Sequence, residues 1–149
     1  MDIGLVGVNH TKMAIQAFEP FFLDTDAKQL FYTKLTPFCP VTELVVLTTC
    51  NRIECYFVAS SLQEGAQWIM ETIAIQTNTE VDQVQNIFST FDQEQTIDHL
   101  FTVSSGLNSM VFGENEILGQ VKDAYEVAAQ KKKTGPFLNK LFQQATAVG

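Results

Sequence analysis

This chain has one arginine, two histidines, three cysteines and four prolines in 149 residues. Each scarcity excludes something. Cys39, Cys50 and Cys55 are an odd number, and too few for the disulfide framework of a small secreted domain. Cys50 and Cys55 lack His or Cys partners at zinc-like spacing, so no metal site is expected. No apolar run approaches the ~18 residues of a membrane span. Met1-Asp2-Ile3-Gly4 lacks the basic start of a signal peptide, and the expected location is the cytosol. No Gly-x-Gly-x-x-Gly loop occurs, so the usual fingerprint of a dinucleotide site is missing. Basic residues are also few: nine Lys and Arg face 17 Asp and Glu, for a net charge of −8. Positions 1–100 hold 4 basic and 13 acidic residues, and positions 101–149 hold 5 and 4. An acidic body disfavours a general nucleic-acid binder, because neutralising phosphates needs a basic surface. The run Lys131-Lys132-Lys133 reads either as a phosphate contact or as a solvated helix C-terminus favoured by the dipole.

What is present is apolar. The hydrophobic fraction is 46% and there are 12 Phe, enough for one domain with a real core. Ile3 to Val8 reads as a central strand ending at Asn9-His10, where His10 is either a base or a structural hydrogen-bond partner. Asp24-Thr25-Asp26 starts a helix whose face is Leu30, Phe31 and Leu35 and which stops before Pro37. Ser61-Leu62-Gln63-Glu64 is a capping box opening a helix with Leu62, Ala66, Ile69 and Ile73 on one face. A short helical piece follows from Thr79 to Val84, and Asn86 to Phe91 alternates like a strand. With two strands between Val41 and Val58, positions 1–91 read strand, helix, strand, strand, helix, strand. That is the split β-α-β-β-α-β order of a ferredoxin-like α+β sandwich, with two helices expected on one face of an antiparallel sheet.

From Asp92 the pattern turns helical. One helix carries Ile97, Leu100 and Phe101, with His99 off its apolar face. A second begins at Glu114 and carries Ile117, Leu118, Val121, Tyr125 and Ala128. A third starts at Gly135-Pro136 and carries Phe137, Leu138, Leu141, Phe142 and Ala145. Gly119 inside the second helix costs ~1 kcal/mol against alanine. The expected organisation is a ferredoxin-like core over 1–91 and a helical extension over 92–149. The last apolar stripe is still running at Gly149, which reads as a piece of a longer chain.

The chemistry gathers at Val45-Val46-Leu47-Thr48-Thr49-Cys50-Asn51-Arg52-Ile53-Glu54. An apolar strand runs into Thr-Thr, then a cysteine, an amide, the sole guanidinium and a carboxylate. A thiol two residues from a rigid cation suggests carboxylate recognition beside a nucleophile, and the cation favours the thiolate. The bland reading of Cys50 is a buried structural thiol. For Glu114 and Glu116 it is simple helix N-terminal charge, and for His99 a satisfied surface histidine.

Three stretches together resemble the N-terminal catalytic domain of the glutamyl-tRNA reductases. They are Gly7-Val8-Asn9-His10, Thr48 to Glu54, and Ser105 to Met110 continuing through Gly113 to Lys122. Gly135 to Phe142 supports the resemblance, which covers essentially the whole chain. The resemblance implies that Cys50 attacks the glutamyl ester of glutamyl-tRNA and holds glutamate as a thioester. NADPH then reduces this thioester to glutamate-1-semialdehyde, the entry to tetrapyrrole (porphyrin, heme) synthesis. It implies that His99 supports activity at the reacting carbonyl. It places Thr49, Asn51, Arg52, Ser109, Glu114, Asn115, Glu116 and Gln120 around the glutamate. Among these, bidentate pairing suits Arg52 to the side-chain carboxylate, and opposite charge suits Glu114 and Glu116 to the ammonium group. NADPH would be bound by a further domain absent from this chain. A homodimer and hand-off to glutamate-1-semialdehyde aminomutase are implied for the longer enzyme. The chain departs from the family at Phe18, usually arginine, at Asn115, commonly proline, and at Glu116, commonly glutamine. Two other functions fit the same residues: a free-standing thiol acyl-transferase or hydrolase using Cys50 and His99, and a ferredoxin-like binding module without catalysis.

Overall fold

A computed structural model describes residues 1–106 and 116–148. In chain order the elements are β1 (Asp2–Asn9), α1 (Ile15–Phe18), a 3-10 turn (Glu19–Phe21), α2 (Thr25–Thr33), β2 (Val41–Thr49) and β3 (Arg52–Ala59). Then come α3 (Leu62–Thr77), α4 (Val81–Ile87), β4 (Ser89–Phe91), α5 (Gln93–Ser104), α6 (Ile117–Gln130) and α7 (Pro136–Val148). Helix starts follow local chemistry. The side chains of Asp24, Ser61 and Asp92 accept the backbone N–H of Ala27, Glu64 and Gln95 at 2.8, 3.2 and 2.9 Å, each cap stabilising by about 1 kcal/mol.

The strands form one sheet in the order β2-β3-β1-β4, every neighbouring pair antiparallel. The chain from β1 to β2 therefore skips over β3, and that from β3 to β4 skips over β1. This is the ferredoxin-like topology expected from the order of elements. The helical extension adds cover beyond the two helices of the core: all eight residues of β3 are buried, which requires cover on both sides. Phe57 points at α3, where a Cβ on Gly65 would lie 2.6 Å from its ring. Its neighbour Tyr56 points the other way, edge-on to Phe142 of α7 at 5.3 Å, and Phe142 stacks on Tyr125 of α6 at 5.5 Å. So α3 lies against one face, while α5, α6 and α7 lie against the other. One expectation needs correction, at Asn86 to Phe91. A capping box between Glu80 and Gln83 starts α4, which runs through Ile87. Only Ser89, Thr90 and Phe91 remain to pair with β1; the alternation read there was partly the end of a helix.

The outer edge of β2 is closed by side chain and linker. The amide of Val46 donates to the Tyr32 hydroxyl at 2.7 Å, and that of Leu44 to the Lys133 carbonyl at 2.9 Å. The same strand also holds the start of α7. The buried Glu43 carboxylate accepts the amides of Gly135, Leu138 and Phe137 at 2.7, 2.9 and 3.3 Å. Pro136 between them has no amide to satisfy. One carboxylate from 92 residues away thus caps the whole first turn. Glycine at 135 lets it approach, since a Cβ there would sit 2.8 Å from Glu43 Oε2 and the carboxylate would have to shift.

Candidate active site

The hairpin between β2 and β3 closes with Thr49 paired to Arg52, leaving Cys50 and Asn51 as its turn. Cys50 is exposed, while Thr49, Asn51 and Arg52 are buried. The turn is held from two sides. Asn51 N–H donates to Thr49 Oγ1 at 3.1 Å, and the Asn51 carbonyl accepts from the His10 amide at 3.0 Å. The end of β1 is therefore fastened beside the cysteine. His10 enters this geometry through its backbone.

Behind the turn, β3 turns Arg52, Glu54 and Tyr56 toward the α5–α7 side at the strand's period of two. In cross-strand rungs, Arg52 lies between Asn9 and Thr49, and Glu54 between Gly7 and Leu47. Gly7 leaves room for Glu54: a Cβ there would be 3.1 Å from Glu54 Cγ. The Glu54 carboxylate is 1% exposed, and three donors converge on it. Arg52 Nη1 reaches Oε2 at 2.9 Å, His99 Nε2 reaches Oε2 at 2.6 Å, and the Tyr56 hydroxyl donates to Oε1 at 2.7 Å. Burial alone would push this carboxyl up, but His99, Arg52 and Tyr56 together outweigh it and hold it below its ordinary value. Burial, then the Glu54 charge, push the Tyr56 phenol well up, so it stays a donor. Next to them Cys55 faces the opposite side of the sheet. Burial, then Glu54, raise its thiol far above the usual range, which makes it inert.

His99 arrives on α5. It shares the buried stripe of Thr96, Leu100 and Val103, and its ring lies 5.2 Å from that of Phe91. The expectation that His99 lies off the apolar face is thus corrected: a polar ring fits the buried stripe because a buried carboxylate waits for it. The chemistry available is an exposed thiol on a tied turn, a guanidinium two residues on, and a histidine joined to that guanidinium through one carboxylate.

Residues 6–149 match the family described as Glutamyl-tRNAGlu reductase, N-terminal domain. The chain belongs to the glutamyl-tRNA reductase family. A glutamyl-tRNA reductase of Bacillus cereus is 38% identical over 144 residues, 97% of this chain and 32% of that protein. One of Staphylococcus carnosus is 34% identical over 145 residues, 97% of this chain and 33% of that protein. The solved structure titled Glutamyl-tRNA Reductase from Methanopyrus kandleri superposes with a TM-score of 0.73 at 28% identity, covering 98% of this chain and 33% of that one. This reductase-family chain therefore spans about a third of the length of the relatives it matches.

Of the residues singled out from the sequence, the structure brings Thr49, Cys50, Asn51, Arg52 and His99 into one neighbourhood. Ser109, Glu114 and Asn115 lie outside the described residues. Glu116 is exposed just before α6. Gln120 lies on α6 in a groove of about 180 Å³ between α2 and α6, lined also by Lys28, Tyr32 and Thr48. Its Oε1 is buried with no hydrogen bond among the described residues. Phe18 is a core position, 2% exposed. Glu54 and Tyr56 were given no role from the sequence, although Arg52-x-Glu54-x-Tyr56 was a legible signal: polar residues at period two in a strand otherwise apolar. Among the described residues no group of three His, Cys, Asp or Glu could hold a metal ion, and no helix is long and apolar enough to cross a membrane.

Proposed function

We propose that this chain is the acyl-accepting part of a glutamyl-tRNA reductase. The Cys50 thiolate attacks the carbonyl carbon of the glutamyl ester. The bond from that carbon to the tRNA ribose oxygen breaks, and the oxygen leaves with a proton as a hydroxyl. Glutamate stays on Cys50 as a thioester. Arg52 serves the substrate carboxylate, with Thr49 and Asn51 shaping the turn beside it, and Ser109, Glu114, Asn115, Glu116 and Gln120 completing the glutamate pocket. His99 handles a proton at the reacting carbonyl. The observation that carries this reading is an exposed cysteine held on a hairpin turn whose next charged residue shares a buried carboxylate with a histidine.

Reduction of the thioester by NADPH to glutamate-1-semialdehyde belongs to the longer enzyme in this reading. The described residues do not fit that cofactor. Their sheet is antiparallel throughout, whereas a dinucleotide fold seats its pyrophosphate at the carboxyl ends of parallel strands. A homodimer and hand-off of the aldehyde to an aminomutase are likewise assigned to the longer enzyme.

The test is intact-mass and peptide mass spectrometry after incubation with glutamyl-tRNA. The expected result is a glutamyl adduct on Cys50, lost in C50S, with slow release of free glutamate and no semialdehyde on adding NADPH. Intact binding without an adduct overturns the proposal in favour of a binding module. Equal acylation from other aminoacyl-tRNAs overturns it in favour of a broad acyl-transferase.

A further inference from the structure

We infer that Glu54 is a positioning residue, which fixes the His99 ring as one tautomer and ties it to Arg52. The inference rests on the proposed acyl transfer for its kinetic arm and on geometry alone for its structural arm. Glu54 is buried and makes short contacts to both partners through the same oxygen, Oε2. A carboxylate has no proton to give, so at 2.6 Å the hydrogen on that contact must sit on His99 Nε2. The neutral ring then has its lone pair on Nδ1, and Nδ1 has no hydrogen bond among the described residues. The ring can therefore accept one proton, and only at the atom turned away from the carboxylate. Once it does, the imidazolium still lies against the Glu54 carboxylate that holds the ring. The other two donors matter to this. Arg52 keeps the carboxylate ionised, and the Tyr56 hydroxyl fills Oε1, so the carboxylate cannot turn away from the histidine.

This makes the sheet a rigid platform for an element that is not part of it. His99 rides on α5, whereas Arg52 and Cys50 belong to the hairpin. One carboxylate sets the distance between them. In other proteins a carboxylate behind a histidine has this task, and losing it costs far more in rate than in binding.

The experiment has two arms. In the first, nitrogen-15 NMR of this chain reads the His99 tautomer; with two histidines in the sequence, H99N assigns the signal. The expected ring is protonated at Nε2, and a ring protonated at Nδ1 overturns the inference whatever the enzyme does. In the second arm, single-turnover acylation of Cys50 by glutamyl-tRNA is measured for wild type, E54Q, H99N and the double variant. E54Q is expected to slow acylation about 100-fold in the wild-type background and by less than about threefold in the H99N background, because Glu54 acts through His99. A merely structural Glu54 slows both backgrounds equally, and that result overturns the inference, as does E54Q acylating within about threefold of wild type. Absence of any wild-type adduct is a failure of the proposed function instead, and the tautomer measurement then decides the inference.

Discussion

At the scale of single residues, the three cysteines of one small chain have three different environments. Cys50 is exposed, Cys39 intermediate and Cys55 buried. Alkylation of the folded chain with iodoacetamide, followed by peptide mass spectrometry, is expected to modify Cys50 first and Cys55 only after denaturation. Modification of Cys55 at the rate of Cys50 would contradict the burial described. The buried groups also set how stability depends on pH. Glu54, held low by His99, Arg52 and Tyr56 against its burial, binds its proton less readily folded than unfolded. Its contribution is complete above the unfolded carboxyl value of about 4.3 and is lost as pH falls through the depressed folded value. Cys55 behaves in the opposite sense. Its thiol is raised by burial and by Glu54, so its contribution is complete below the unfolded value of about 8.5 and is lost as pH rises toward the raised one. Urea midpoints measured from pH 3 to 10 should fall on both flanks. E54Q should lose less than wild type on the acid side, and C55A less on the alkaline side.

At the scale of elements, the Glu43 cap on α7 replaces the usual local one. Truncating it leaves one buried and two part-buried amides without their acceptor, so E43A is expected to destabilise the chain by about 2–3 kcal/mol. G135A should act on the same contact from the other side, by about 1–3 kcal/mol, because the new methyl meets Oε2. Denaturant unfolding of each variant and of the pair checks this; sub-additive losses in the double variant are the mark of a shared contact. Much of this level was legible beforehand. Asp24, Ser61 and Asp92 announce their helices because a cap is a contact between near neighbours. Pro136 announces α7 for the same reason. Glu43 does not announce itself, since a carboxylate in a strand gives no sign of the distant turn it will cap. The strand β4 is shorter than its alternation predicts, because period two and the ragged end of a helix look alike over six residues. His99 is largely buried although its polarity predicts otherwise, because polarity is a guide to exposure only when no buried partner exists. Thr49, Cys50, Asn51 and Arg52 could be read as a group since they are consecutive, whereas the link from Glu54 to His99 spans 45 residues and carries no local signal. Gly119 meets nothing within 4 Å, and the described structure offers no reason for it.

At the scale of the whole molecule, the sheet has a different kind of core on each face. The α3 side is apolar, with Cys55, Phe57 and Ala59 of β3. The side under α5, α6 and α7 buries an ion pair beneath its aromatics. A strand that buries Arg52 and Glu54 needs those helices, because an ion pair stripped of its partner groups and half wetted loses its geometry while the apolar rungs beside it face water. A chain ending at residue 91 is therefore expected not to fold as a monomer, despite holding all four strands. Circular dichroism and size-exclusion chromatography would show an unfolded or aggregated species, and a cooperative thermal transition in that fragment would contradict the expectation. The fold of 1–91 and the helices of 92–149 are on this argument one cooperative unit.

Glu43 and Thr49 belong to the same strand, six residues apart, or about 20 Å along it. Glu43 grips the first turn of α7, and Thr49 leads into Cys50. A single extended strand therefore joins the anchor of the C-terminal helix to the turn that bears the thiol.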